Sequence, residues 1–192
     1  MSHDDKRFKA ENWANLRRES RLEQMPPNKV FNHITLKQKI TVADIGCGPG
    51  AFSIPIADYI KSVDGVLYAI DVAQEMLKQV KIYAESKGLD NIKYFQTLDA
   101  KLNLQMNFDV AILINVLHEF EGPEKYLSEI WEHLNPQGYI IIIDHDRRKC
   151  PDEGGPPDHH RIPLDKAIEY VSKLSKNIES IKEFYPNKYL LK

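Results

Sequence analysis

The residues with the most chemistry available to them stand in the run Val42-Ala43-Asp44-Ile45-Gly46-Cys47-Gly48-Pro49-Gly50. Glycine has no Cβ, so a chain turning through Gly46, Gly48 and Gly50 passes close beneath a bound molecule. An apolar strand entering such a turn, with a helix leaving it, is the first half of a nucleotide-binding βαβ unit. Asp44 stands two residues before the first glycine. A carboxylate there is a poor neighbour for a pyrophosphate. It is a good neighbour for a ligand bearing an ammonium or a sulfonium. The plainer role for the same side chain is that of a helix-entry turn residue.

Two more acids follow strands. Asp71 ends Tyr68-Ala69-Ile70-Asp71-Val72. A carboxylate at that point accepts hydrogen bonds from both hydroxyls of a ribose. Its alternative is to cap the helix that starts near Ala73. Asp99 can accept a bond from an adenine amino group, with the Ala100 backbone N–H offered to the ring. A solvated loop acid is the competing reading. Gly46, Gly48 and Ala51 also satisfy the dinucleotide pattern G-x-G-x-x-G/A, with Asp71 at a ribose-binding distance, so the glycines alone admit NAD. Asp44 tilts the choice towards S-adenosylmethionine (SAM), whose methionine ammonium suits that carboxylate.

Catalytic candidates gather at three places: His118 with Glu119; Asp144, His145 and Asp146; and His159, His160 and Arg161. A hydroxyl or a protonated amine accepting a methyl group is helped by a general base, and histidine suits neutral pH. His118 is the first choice, followed by His145 and His160. Packing against the sheet edge is the alternative for His118. Arg161 either holds an anionic acceptor or pins its loop by a salt bridge. The spacing of these groups matches no metal-site signature, so no metal is expected.

The elements that must position these residues alternate. Apolar runs predict strands over 40–45, 66–71, 92–97, 108–115 and 138–145, with helices over 51–63, 73–87 and 123–134. Pro55 falls in the first turn or so of the first helix, where a missing N–H does least harm. Gly65, Gly88 and Asn135-Pro136-Gln137-Gly138 punctuate the units. Alternating strands and helices imply a doubly wound, mainly parallel sheet covered on both faces. A proline- and glycine-rich loop over 147–161 follows the fifth strand. Leu164, Ile168, Val171 and Leu174 then give one more amphipathic helix. The segments 178–185 and 188–192 suit a hairpin across Pro186-Asn187. Residues 1–39 read as a helical extension before a ligand-binding domain over 40–192. The segment from Trp13 to Arg21 either folds over the ligand as a lid or packs on a sheet face.

The bulk properties narrow the partners. The chain has 192 residues and a formal net charge of -2, which predicts no general attraction to nucleic acid or an anionic membrane. Two cysteines, Cys47 and Cys150, support neither a disulfide framework nor a structural zinc site, which suggests a reducing cytoplasm. No apolar run is long enough to span a bilayer, and the polar N-terminus shows no secretory signal.

The chain resembles the class I SAM-dependent methyltransferases, among them the small ubiquinone/menaquinone-biosynthesis and arsenite methyltransferase-like proteins. The resemblance rests on 42–50, on Tyr68-Ala69-Ile70-Asp71 with Met76-Leu77, and on Asp99-Ala100. It continues through Phe108-Asp109, Asn115-Val116-Leu117-His118-Glu119-Phe120, and 134–138 leading into 140–144. It covers roughly residue 26 to the C-terminus. It implies a Rossmann-like, seven-stranded, mainly parallel sheet with an antiparallel C-terminal strand, here a short one. It also implies a SAM site made by Asp44, Gly46, Cys47, Gly48, Gly50, Asp71, Val72, Met76, Asp99, Ala100 and Asn115. His118 is placed close to the cofactor. The end of the fourth strand lacks the Asn/Asp-Pro-Pro-aromatic motif of the adenine- and glutamine-amide methyltransferases. Two cysteines are too few for arsenite. The expected activity is therefore methyl transfer to a small-molecule acceptor. An NAD(P)-dependent oxidoreductase lacks an obvious Tyr-x-x-x-Lys and is the alternative, beside a SAM-binding protein that does no chemistry. The oligomeric state is open.

Overall fold

The computed structural model describes residues 13–98, 101–146 and 155–192. Two short helices, α1 (Trp13–Leu16) and α2 (Glu19–Gln24), precede α3 (Asn28–Phe31). The chain then alternates: β1 (Thr41–Ile45), α4 (Ser53–Lys61), β2 (Val66–Asp71), α5 (Gln74–Ser86), β3 (Ile92–Gln96) and β4 (Phe108–Ile114). A 3-10 turn (Leu117–Glu119) leads to α6 (Pro123–Glu132), β5 (Leu134–His145), α7 (Leu164–Val171), β6 (Ser180–Tyr185) and β7 (Lys188–Leu191).

The seven strands form one sheet in the order β3-β2-β1-β4-β5-β7-β6. Pairs from β3 through β5 are parallel, and β7 runs antiparallel to both β5 and β6. The expected doubly wound sheet with an antiparallel, four-residue C-terminal strand is therefore the observed one.

Strand periodicity explains why both faces are covered. Side chains alternate across a strand, and here both sets are apolar. Val42, Val110, Ile112, Ile114, Ile141 and Ile143 face one core, packed with Ile56, Ile60, Val80 and Ala84 of α4 and α5. Ala43, Ala111, Leu113, Ile140 and Ile142 face the other, with Leu127 and Ile130 of α6 and Ala167 of α7. β4 is buried at every position, as a central parallel strand must be. Met25, Val30 and Ile34, from the segment before β1, share the first core.

The main boundary difference from the sequence expectation is at β5, while the last helix stops at Val171, short of Leu174. The turn placed at Asn135-Pro136-Gln137-Gly138 is absorbed into β5, which starts at Leu134. Phe108 pairs with Leu134 and Val110 with Tyr139, so the residues between are looped out as a wide bulge. Gln137 takes a positive φ of 67° there. The bulge lets β5 continue its pairing with β4 on both sides of the turn residues.

Candidate functional site

The order reversal between β1 and β4 makes a crevice at the carboxyl ends of the strands, because β1 connects to β2 on one side while β4 pairs on the other. Ligands of open α/β sheets bind at such a switch point. A cleft of about 740 Å³ opens there. Its wall includes Asp44, Gly46, Cys47, Gly48, Asp71, Val72, Met76, Asn115, His118, His145 and His160. These expected site residues, scattered over more than a hundred positions, thus face one space. Gly50 does not line it: a Cβ there would meet Val80 and Ile54 in the core. Asp99, Ala100 and Cys150 lie outside the described residues.

The glycine turn is held by its neighbours. Gly46 takes a φ of 69°, and a Cβ on it would fall 2.3 Å from a methyl of Val116. No other residue fits there without moving the chain after β4. The Asp71 carboxylate accepts the Gly48 N–H through one oxygen and the Ala73 N–H through the other, both at 2.8 Å. It ties the turn after β1 to the entry of α5, so the capping reading of this residue describes one part of what it does.

Asp44 is buried beneath the turn, and its carboxylate accepts the Ser53 hydroxyl at 2.5 Å. Burial pushes its carboxyl up to about 7; the Ser53 bond opposes the rise and the Asp71 charge adds to it. Burial likewise pushes the Cys47 thiol well up, so it stands in the wall protonated. Asn115, just past β4, adopts a positive φ of 55°. Its Nδ2 donates to the Met25 sulfur at 3.8 Å, and its buried Oδ1 has no hydrogen-bond partner among the described residues.

The histidines meet at the ends of β4 and β5, which lie side by side with Ile114 paired to Ile143. His118 Nδ1 and Asp144 Oδ1 are 2.7 Å apart. The His118 and His145 N–H groups also donate to the Asp144 carboxylate, at 3.2 and 2.7 Å. Burial pulls the His118 imidazole down, but the charge and hydrogen bond of Asp144 outweigh it, and the net shift is upward. Asp144 is raised by burial and lowered more by His118 and the His145 N–H, for a net fall. Burial, with Lys188 adding and Asp144 opposing, drives His145 down to about 3, so its ring is neutral at pH 7. A Cβ on Gly155 would touch that ring at 2.6 Å, so the loop backbone lies directly on His145. Arg161 is buried, donates from Nε to the Pro156 carbonyl at 2.9 Å and pairs with Asp158 at 3.5 Å. It pins its own loop. Among the described residues no cluster of three metal-ligating side chains occurs.

Sequence reasoning did not single out several wall residues. Arg18, Arg21, Gln24 and Met25 come from the segment before β1, Leu98 and Leu102 from the chain after β3, Phe120 from the end of the 3-10 turn, Tyr126 from α6 and Lys188 from the start of β7. The lid expectation for the segment from Trp13 to Arg21 took in Arg18 and Arg21, and Phe120 stood in the run that carries the resemblance without a role of its own. The fold brings Leu16 within 3.5 Å of the Cβ position of Gly48.

Sheet order and glycine turn define an α/β protein built to bind a nucleoside-containing ligand at its switch point. A model of the family described as "Methyltransferase domain" matches residues 36–186, and the chain belongs to that family. Curated relatives include the ubiquinone biosynthesis O-methyltransferases of Rickettsia canadensis and Rickettsia typhi. They are 28% and 29% identical over 121 residues, 63% of this chain and 49% and 47% of theirs. The match spans about half the length of these relatives. The fold superposes on the crystal structure of a SAM-dependent methyltransferase from Aquifex aeolicus with a TM-score of 0.84. That pair is 25% identical and covers 96% of this chain and 97% of the other. This is the fold and family of SAM-dependent methyltransferases, and it displaces the NAD reading of the glycine turn.

Proposed function

We propose that this methyltransferase carries a methyl group from SAM to a small-molecule acceptor in the cytoplasm. The observation that carries the reading is Asp71. It is fixed at the switch point by two backbone N–H bonds and faces a cleft of small-molecule size.

SAM fits the residues present. Gly46 leaves its Cβ position to Val116, so backbone alone borders the ligand there. The orphaned Asn115 Oδ1 and the Asp44 carboxylate, once ionised above about pH 7, are acceptors suited to an ammonium group. Asp71 holds the ribose hydroxyls, and the strands' apolar ends with Val72 and Met76 flank the adenosine. Bound SAM supplies a methyl carbon activated by a sulfonium. The protein's own contribution is mainly positioning and exclusion of water. The α1–α2 segment, which walls the cleft above the glycine turn, serves as the lid.

A small acceptor agrees with a cleft walled by this segment and with the absence of a cationic net charge for nucleic acid. No helix among the described residues is long and apolar enough to cross a membrane. The relatives named as O-methyltransferases act in ubiquinone biosynthesis, which also supports a small acceptor.

Titration calorimetry with SAM and Asp71→Asn tests the site. The substitution keeps side-chain volume and removes the charge. The expected result is affinity weakened by roughly 10- to 100-fold, as for loss of a charged hydrogen-bond acceptor, with an unchanged circular dichroism spectrum. Unchanged SAM affinity would overturn the assignment. SAM binding without S-adenosylhomocysteine production across an acceptor panel would favour a non-catalytic SAM protein.

A further inference from the structure

The chain from residue 97 to residue 107 joins β3 to β4. It starts beside the Asp71 end of β2. The Thr97 N–H donates to the Asp71 carbonyl at 3.0 Å, and Gln96 Nε2 to the Val72 carbonyl at 3.0 Å. Leu98 and Leu102 then face the cleft. Leu98 is exposed there, a large apolar side chain close to the carboxylate that meets the ribose. This is the nucleoside half of the cleft.

The sheet does little to hold this connection. Among its described residues the ladder contributes an isolated bridge, Leu98 with Lys101. Support comes instead from α6. Glu129 Oε2 accepts the Leu102 N–H at 3.2 Å, and Oε1 accepts the Leu104 N–H at 3.4 Å. Asn103 between them takes a φ of 50°. A left-handed residue of this kind points flanking N–H groups at one anion. Leu102 and Leu104 are buried in the second core with Leu127 and Ile130 of α6. At the far end of the connection, His133 Nδ1 donates to the Met106 carbonyl at 2.9 Å, and Met106 does not line the cleft.

Glu129 is poorly placed for the helix that carries it. It stands in the last turn of α6, where the helix dipole favours a cation. Among the described residues its partners are the two loop N–H groups, not a lysine or an arginine. The carboxylate therefore serves the loop and not the helix.

We propose, resting on the methyl-transfer reading above, that Glu129 is a positioning residue for SAM: its two N–H bonds hold Leu98 and Leu102 in place as the wall of the nucleoside half of the cleft. Glu129 itself does not line the cleft. The helix suits the task, because Leu127 and Ile130 anchor it fully buried in the core. Tyr126, one turn before Glu129, lines the cleft and stacks on Phe120 with centroids 4.3 Å apart. Without the carboxylate the loop leaves its place for part of the time. Apparent affinity then falls by the fraction of molecules whose wall is in place. The chemical step is unchanged once the cofactor is seated.

Amide hydrogen exchange without any ligand reads the loop directly. Leu102 and Leu104 should be protected in the wild type and exchange fast in Glu129→Ala. Glu129→Gln should fall between, since a carboxamide has one accepting oxygen, and it carries the test if the alanine variant does not fold. Calorimetry then compares S-adenosylhomocysteine with methylthioadenosine, which keeps the nucleoside and lacks the amino acid. Both should weaken by about tenfold in Glu129→Ala and about threefold in Glu129→Gln. With any acceptor that the wild type methylates, KM for SAM should rise by the same factor while kcat stays within about twofold. His133→Ala removes a bond of the same connection outside the cleft wall. It should lower the melting temperature and leave both affinities within about twofold. Unchanged affinities in Glu129→Ala overturn the proposal. Slow exchange at Leu102 and Leu104 in that variant overturns it too, as does a fall in kcat as large as the rise in KM. Equal affinity losses in His133→Ala would reduce Glu129 to a structural role. If neither nucleoside binds the wild type, the methyl-transfer reading fails, and the exchange rates still decide whether Glu129 holds the loop.

Discussion

Asp44 and Asp144 are both buried strand-end carboxylates, and their surroundings send them in opposite directions. Asp144 receives three N–H contacts and stays ionised. Asp44 has a hydroxyl donor in Ser53, and its carboxyl rises to about 7, chiefly through burial. The native state therefore holds a proton on Asp44 more tightly than the unfolded chain, where the ordinary value is about 3.9. Its contribution to stability is complete below that value and is lost as pH rises through about 7. Urea unfolding of wild type and Asp44→Asn is expected to show the variant gaining relative stability between pH 4 and 8. A cationic ligand calls for the ionised form, so SAM affinity in the wild type should weaken as pH falls below 7. Calorimetry on Asp44→Asn should show that slope flattened. The place of Asp44 and Asp71 beside the glycine turn, in the cleft wall, was legible from the sequence because their neighbours in the chain define the turn. The pairing of Asp144 with His118 was not, since 26 residues separate them and only the β4–β5 register joins their ends.

At the scale of elements, the segment before β1 divides in its packing. α2 buries none of its residues, whereas Met25, Val30 and Ile34 enter the core and the Tyr185 hydroxyl holds the Pro26 carbonyl at 2.7 Å. Arg21 reaches the Leu16 carbonyl at 3.0 Å, and the Arg17 guanidinium lies 3.5 Å over the Tyr83 ring, so polar contacts help to hold the wall. Removing the chain up to residue 24 should leave the melting temperature nearly unchanged, because in its described part no residue of α2 is buried and Leu22 packs on the core only partly covered. SAM affinity should fall by about tenfold, with most of the change in the dissociation rate. Stopped-flow and calorimetric measurement of the truncated chain check both expectations; a large loss of stability would show that the segment is part of the core. The segment reads as helical in the sequence, but helices of four and six residues carry too little periodicity to say which of their side chains face the cleft.

For the whole molecule, ligand binding and folding are linked through the switch point. The turn after β1, the end of β2 and the start of α5 share one carboxylate, so a ligand seated there bears on three elements at once. A ligand that binds only the native state at 100 times its Kd stabilises by about 2.7 kcal/mol. For a chain of this size that is roughly a 5–10 °C rise in melting temperature. SAM and S-adenosylhomocysteine should produce such a shift in a thermal melt, and NAD should not.

The sequence by itself determined the strand–helix alternation, the glycine turn with Asp44 and Asp71, and the SAM-methyltransferase character, because each is written in contiguous residues whose local chemistry is specific. The parallel strands, apolar on both faces, could also be read locally. The tertiary structure alone decided what surrounds the acceptor. His118 and Asp144, the neutral His145 beneath Gly155, the stacked Phe120 and Tyr126, and the Arg18–Met25 wall come together through sheet register and loop packing. Proximity of that kind depends on how distant ends of strands are brought side by side, and no local pattern in the chain encodes it.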